Sequence, residues 1–393
     1  MHFHEARECV IAKLQAARVL PDTEEVALEA AAGRVLAEEV RADRDYPPAA
    51  RSLRDGFAVR AADLPGRLRL IGEVRAGEAF SGEVGTGEAV EIMTGAPVPR
   101  GADAVVMIEH VERDGECVRA GAAEPGQFIN PQGTEARKGA RVLAAGVRLG
   151  FAETAMLATV GKTEPLVYRQ PSVAILVTGD EIVEAWEPPL EHQIRNSNAH
   201  SLAVQVLRAG GLPEILPVAK DSHAATRALI QRGMAHDLLL LSGGVSAGKY
   251  DVVEPVLAEL GAEFFFDRVL IQPGQPLVFG RIGKLFFFGL PGNPVSTMVT
   301  FELFARAALE LLEGQTEVAL PMGLARLTTE FRHKPGLTRF LPARLSSESA
   351  ELTPIPWQGS SDVPAVARAN AWLVAEADRE SWQAGDLMRV LLK

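Results

Sequence analysis

Between residues 172 and 312 the chain alternates short apolar runs with amphipathic stretches, and this alternation restricts its fold more than any other feature. VAILV and DLLLL are apolar throughout, as strands covered on both faces of a sheet must be. EILPVA, FFFDRVL, LVFGRI and KLFFFGL supply further strands, while DSHAATRALIQRG and residues 252–260 read as intervening helices. The pattern predicts an α/β domain with a doubly wound, mainly parallel sheet. Such sheets bind ligands beyond the carboxyl ends of their strands, where the connecting loops gather.

Two of those loops are rich in glycine. DLLLL runs into SGGVSAGKYD, in which Gly243, Gly244 and Gly248 let backbone amides approach an anion, and Ser242 and Ser246 add hydroxyl donors. The loop is neither a Walker sequence nor a GxGxxG fingerprint, so hydrolysis of the P-loop kind is not indicated. By itself it reads equally well as a tight strand-to-helix turn. KLFFFGL ends in LPGNP, where Pro291 and Gly292 precede an expected Asn293 cap and Pro294 at the first turn of a long helix closed by Gly314. Two glycine-rich strand ends in one sheet favour a shared, phosphate-bearing ligand at helix amides.

Acidic residues recur in loops: Asp55 in SLRDGFAV, Asp180 and Glu181 in VTGDEI, Asp221 in AKDS, and Asp251 after the glycine loop. Carboxylates facing a phosphate repel it unless a hard cation mediates, so Mg²⁺ held by Asp221 and Asp251 is one expectation. Each has a plain structural alternative as a turn or cap residue. Asp251 and Glu254 have capping-box spacing, and Asp221 precedes Ser222 at a helix start. Thr94, beside Gly95 between two strands, reads on its own as a β-turn residue.

The rest of the chain predicts further domains. Residues 3–20 have helical spacing, and 142–161 return to it; short apolar runs between 68 and 118, punctuated by glycine and proline, read as a small β domain. The expected division is an N-terminal helical domain (1–44 and 140–168), an inserted β domain (45–139), an α/β domain (169–314) and a C-terminal β-barrel-like domain (315–393). The chain's 393 residues, 47% of them hydrophobic, suffice for several cores. Forty Lys plus Arg against 51 Asp plus Glu give a net charge of −11, which argues against a nucleic-acid surface. The two cysteines, Cys9 and Cys117, form no disulfide or metal pattern, and no apolar run spans a membrane; a cytoplasmic protein is expected.

Taken in order, RSLRDGFAV, GEAVEIMTGAPVPRGADAVVMIE, VTGDEI, IRNSNAHSL, SGGVSAGKYD, PGQP and GLPGNPVSTMVTFELF resemble the MoeA family of molybdopterin molybdenumtransferases, which includes the gephyrin E domain. The resemblance covers nearly the whole chain and weakens toward the C-terminus. It implies an elongated homodimer that takes adenylylated molybdopterin, inserts molybdate at its dithiolene and releases AMP with Mg²⁺ assisting, and other proteins of cofactor biosynthesis as possible partners. It implies activity-linked roles for Asp55, Thr94, Glu181, Asp221 and Asp251, with Asp55 reaching the partner subunit's site. Pro291 and Pro294 match prolines that shape the family's pocket.

Several positions depart from the family pattern. Asn130 stands where an Arg is usual, Glu135 where an Asp is, and Asn196 replaces the aspartate of a DSN motif. KPGKP appears as QPGQP, so Gln272 and Gln275 replace two lysines. Loss of cations should weaken anion binding. A second reading is therefore a paralogue that binds the pterin without turnover, or one that prefers tungstate. The adenylyltransferase that precedes the insertase is a weaker third.

Overall fold

A computed structural model describes residues 1–17, 20–220, 222–244 and 252–393. Its centre is a six-stranded sheet in the order Leu212–Ile215, Ser172–Val177, Leu238–Ser242, Leu285–Leu290, Pro276–Ile282 and Glu263–Arg268. The first three pairings are parallel and the last two antiparallel.

Strand alternation divides the apolar runs between two cores. Val173, Ile175, Leu238, Leu240, Phe286 and Phe288 face one side, and Ala174, Leu176, Leu239, Leu241 and Phe287 face the other. This is why the runs are apolar without interruption. Helix Ser197–Arg208 covers the first face, and His223–Gly233 and Val253–Glu259 cover the second. Ser172–Val177 has its two parallel neighbours on opposite sides, which opens a crevice beyond the strand ends at that point.

The expected long helix after LPGNP runs as Pro294–Thr300, a π-helical turn Phe301–Ala305, and Arg306–Leu312. Helix Phe3–Ala17 places Phe3, Ala6, Val10 and Leu14 into the first core, against this helical run. Residues 20–50 and 140–168 otherwise form short β pairs, 3₁₀ turns and helix Phe151–Thr159. Arg148 joins this part to the α/β domain: its guanidinium pairs with the fully buried Glu313 and donates to the Ala209 carbonyl at 2.9 Å.

The inserted segment forms an open six-stranded sheet, in the order Ala104–Met107, Gly56–Val59, Glu88–Ile92, Gly66–Val74, Cys117–Ala120 and Val111–Asp114, with apolar residues on both faces. At the C-terminus, strand Thr338–Leu345 pairs with both Glu351–Pro354 and Ala371–Ala375. Met322–Leu327 and Leu387–Leu392 complete the circuit, closing a five-stranded barrel. Ile271–Gln272 adds to Thr338–Leu345 in parallel, so QPGQP lies where the barrel meets the α/β domain. Among the described residues no helix is long and apolar enough to cross a membrane.

Candidate functional site

The glycine loops do converge. Beyond the strand ends lies a cleft of about 880 Å³, lined by 177–179, Glu181, Ile182, Ile194, Asn198, 242–244, 271–276, 291–293 and Ser296, and from the barrel by Leu337, Trp357, Gly359 and Ser360. That volume falls in the range of small-molecule sites.

Backbone geometry explains the glycines. Gly243 has φ +88°, and a Cβ there would stand 2.7 Å from the Thr178 carbonyl oxygen. Gly274 has φ +104°, and a Cβ would meet Thr300 Cγ2 at 2.5 Å, so only glycine lets QPGQP lie against the helix. Ser242, wholly buried, closes the loop base: its Oγ donates to the Pro291 carbonyl at 3.3 Å and accepts from Asn198 Nδ2 at 2.9 Å. Asn198 Nδ2 also donates to the Gly292 carbonyl at 2.8 Å, and Thr297 Oγ1 donates to that of Pro291 at 2.6 Å.

The LPGNP helix start differs from the sequence expectation. Asn293 does not cap through its side chain; its Nδ2 donates instead to Ser360 Oγ at 2.8 Å. Pro294 has no N–H, and that of Val295 is already donated to the Ser360 carbonyl at 2.9 Å. The barrel therefore consumes part of the anion-binding capacity expected here. Asn196, by contrast, caps helix Ser197–Arg208, accepting from Ala199 N at 3.1 Å, a task Asn performs as well as Asp.

The predicted residues fall into three groups, with Pro294 at the helix start just outside the cleft lining. Glu181, Ser242, Gly243, Gly244, Pro291, Gly292 and Asn293 line the cleft. Asp55 and Thr94 do not; they meet on the inserted sheet's rim, where Asp55 Oδ1 accepts from Thr94 N at 2.6 Å and Thr94 Oγ1 at 2.7 Å. These two bonds hold the Asp55 carboxyl below its ordinary range. Strand Ile129–Asn130 pairs with Arg51–Ser52 beside them, and Asn130 Nδ2 donates to Glu135 Oε1 at 3.1 Å. The two departures from the family pattern thus satisfy each other. Asp221, Ser246, Gly248 and Asp251 lie outside the described residues.

Sequence reasoning missed Trp357 and Ser360, which belong to a turn in another domain and carry no local signal. Asn198 stands within IRNSNAHSL, where no local pattern marks its task. Among the described residues lining the cleft, Glu181 is the one carboxylate, and none is Lys or Arg. Gln272 and Gln275 stand in the wall.

Three family models account for most of the chain: the MoeA N-terminal region (domain I and II) matches residues 1–161, a probable molybdopterin binding domain 174–311, and the MoeA C-terminal region (domain IV) 324–393. A molybdopterin molybdenumtransferase of Bacillus subtilis (strain 168) is 35% identical over 387 residues, covering 94% of this chain and 90% of the relative. One from Synechocystis sp. is 32% identical over 367 residues, covering 90% and 91%. The crystal structure of a molybdopterin biosynthesis moeA protein from Pyrococcus horikoshii OT3 matches with a TM-score of 0.82 at 29% identity, covering 100% of both chains. The order of motifs, the fold and these likenesses agree: the chain belongs to the MoeA family of molybdopterin molybdenumtransferases, enzymes of molybdenum cofactor biosynthesis.

Proposed function

We propose that this cleft binds adenylylated molybdopterin and is where molybdate enters the dithiolene as AMP is released. The observation that carries the reading is the joining of the two glycine-bearing strand ends in one cleft of suitable size, in a chain of this family. The Gly244 amide offers a phosphate contact without a side-chain cation, whereas that of Gly243 is already donated to the Leu290 carbonyl at 3.3 Å. The pterin extends along the wall formed by QPGQP and Trp357. Glu181, Asp221 and Asp251 are the carboxylates assigned to the reaction, and Ser242, Ser246, Gly248, Pro291, Gly292, Asn293 and Pro294 shape the pocket.

Mg²⁺ belongs to the proposal as the counter-charge to phosphate and carboxylates, with Asp221 and Asp251 as its ligands. Both lie outside the described residues, and the described residues bring together no cluster of three His, Cys, Asp or Glu side chains. Asp55 and Thr94, remote from the cleft lining of their own subunit, act in this reading across a homodimer. The domain division remains 1–44 with 140–168, 45–139, 169–314 and 315–393, and the enzyme works in the cytoplasm.

The test is to incubate the protein with adenylylated molybdopterin, molybdate and Mg²⁺. The expected products are AMP and metallated cofactor. If neither forms while the substrate binds, the non-catalytic reading replaces this one.

A further inference from the structure

Asn198 is 8% exposed and sits at the second position of helix Ser197–Arg208, at the head of the crevice. Its amide orientation is fixed by its neighbours: the Gly292 carbonyl can only accept, so the atom facing it is the Nδ2 donor. The same nitrogen gives its other hydrogen to Ser242 Oγ. One NH₂ group therefore spans the last residue of strand Leu238–Ser242 and the loop that follows Leu285–Leu290. Its Oδ1 is buried and has no partner among the described residues.

A buried acceptor left unpaired weakens the fold, and an apolar side chain would remove that defect only by giving up both hydrogen bonds to the loops. The residue is thus poorly chosen for stability and well chosen for geometry. Strained or unsatisfied groups of this kind persist where a site needs them.

The geometry points to Asn198 as a positioning residue that sets the spacing between the two ligand loops, through Ser242 Oγ on one side and the Gly292 carbonyl on the other. This rests on the proposed reading, in which the loops hold different parts of one adenylylated substrate. A ligand gripped at two places depends on that spacing; a fragment gripped at one does not.

The consequence separates this role from a merely structural one. Losing two hydrogen bonds at such a site corresponds to roughly a ten- to hundredfold effect. Asn198→Ala should lower kcat/KM for adenylylated molybdopterin by about that factor. It should leave the inhibition constant of AMP within about threefold and the thermal midpoint within a few degrees. Ser242→Ala, which severs one of the two bonds together with the direct tie from Ser242 Oγ to the Pro291 carbonyl, should give a comparable loss for the whole substrate with the same indifference to AMP, and it serves if Asn198→Ala does not fold. Equal losses for substrate and AMP in the folded variant would overturn the assignment, and so would an unchanged kcat/KM. If the wild-type protein releases no AMP, the reaction reading fails separately. The spacing role is then judged by binding of adenylylated molybdopterin against AMP in titration calorimetry, with the same two outcomes deciding it.

Discussion

The wall of the cleft carries Gln272 and Gln275, and the structure ranks what a lysine at each position would do. Gln275 is half-buried and Gln272 is exposed. A unit charge about 4 Å from an anion is worth ~1 kcal/mol in bulk water and ~4 kcal/mol at an effective dielectric near 20. For the exposed position the lower figure applies; for the half-buried one, about 2 kcal/mol is reasonable. Ordering a lysine side chain offsets part of each, up to ~1 kcal/mol. Gln272 also lies in register with Arg339 on the neighbouring strand, a like charge that opposes a lysine there. Gln275→Lys should therefore tighten AMP about fivefold to tenfold, and Gln272→Lys less than about threefold. The turn itself should survive, because Gln275 is held through its carbonyl, which accepts from Val269 N at 3.0 Å whatever the side chain. Calorimetric titration with AMP at low and high salt measures both effects, and the gain must shrink as the Debye length falls from about 10 Å at 0.1 M to about 3 Å at 1 M. An unchanged affinity for Gln275→Lys, a larger gain at 272 than at 275, or a gain indifferent to salt would each refute this electrostatic account.

Other outcomes follow from groups outside that wall. Thr94→Val removes one of the two bonds that depress the Asp55 carboxyl, so the acid limb of the pH–rate profile should move to higher pH; an unmoved limb would mean that Asp55 does not titrate in the reaction. Burial pushes the Glu313 carboxyl up to about 7, with Arg148 opposing. A raised carboxyl favours the protonated form in the fold, so stability should fall as pH rises from about 4.5 to 7, and Glu313→Gln should flatten that slope in thermal melts. Arg148→Ala removes the cation that opposes this rise, so Glu313 should take up a proton at neutral pH, and the loss of stability in denaturant titrations should grow as pH is raised above about 7. Gly243→Ala, forced against the Thr178 carbonyl, should cost about 1–3 kcal/mol and weaken AMP binding; unchanged binding would remove that loop from the site.

How far the sequence carried the reading depended on whether each signal was local. The apolar runs around Ala174 and Leu240 announced strands buried on both faces, because alternate residues enter opposite cores and neither core tolerates a polar side chain. The glycines at 243 and 244 marked a loop for the same kind of reason, since positive φ is a property of the residue itself. What remained hidden were meetings between distant segments. Nothing near Trp357 or Ser360 indicates that a barrel turn reaches the start of a helix 67 residues earlier. Nor did the Asn293 pattern reveal that its side chain would face that turn rather than its own helix. The Asn130–Glu135 pair shows the converse: two departures that looked like separate losses are one local exchange.

The two hydrogen bonds that Ser360 accepts, one from the Asn293 side chain and one from the Val295 amide, make the terminal barrel a component of the mould rather than an appendage. A chimera that exchanged residues 320–393 for the barrel of a relative would inherit a helix start with an unsatisfied amide unless the donor turn presented a carbonyl at the same place. Barrel and cleft can therefore change only together, and this one contact is not free to drift.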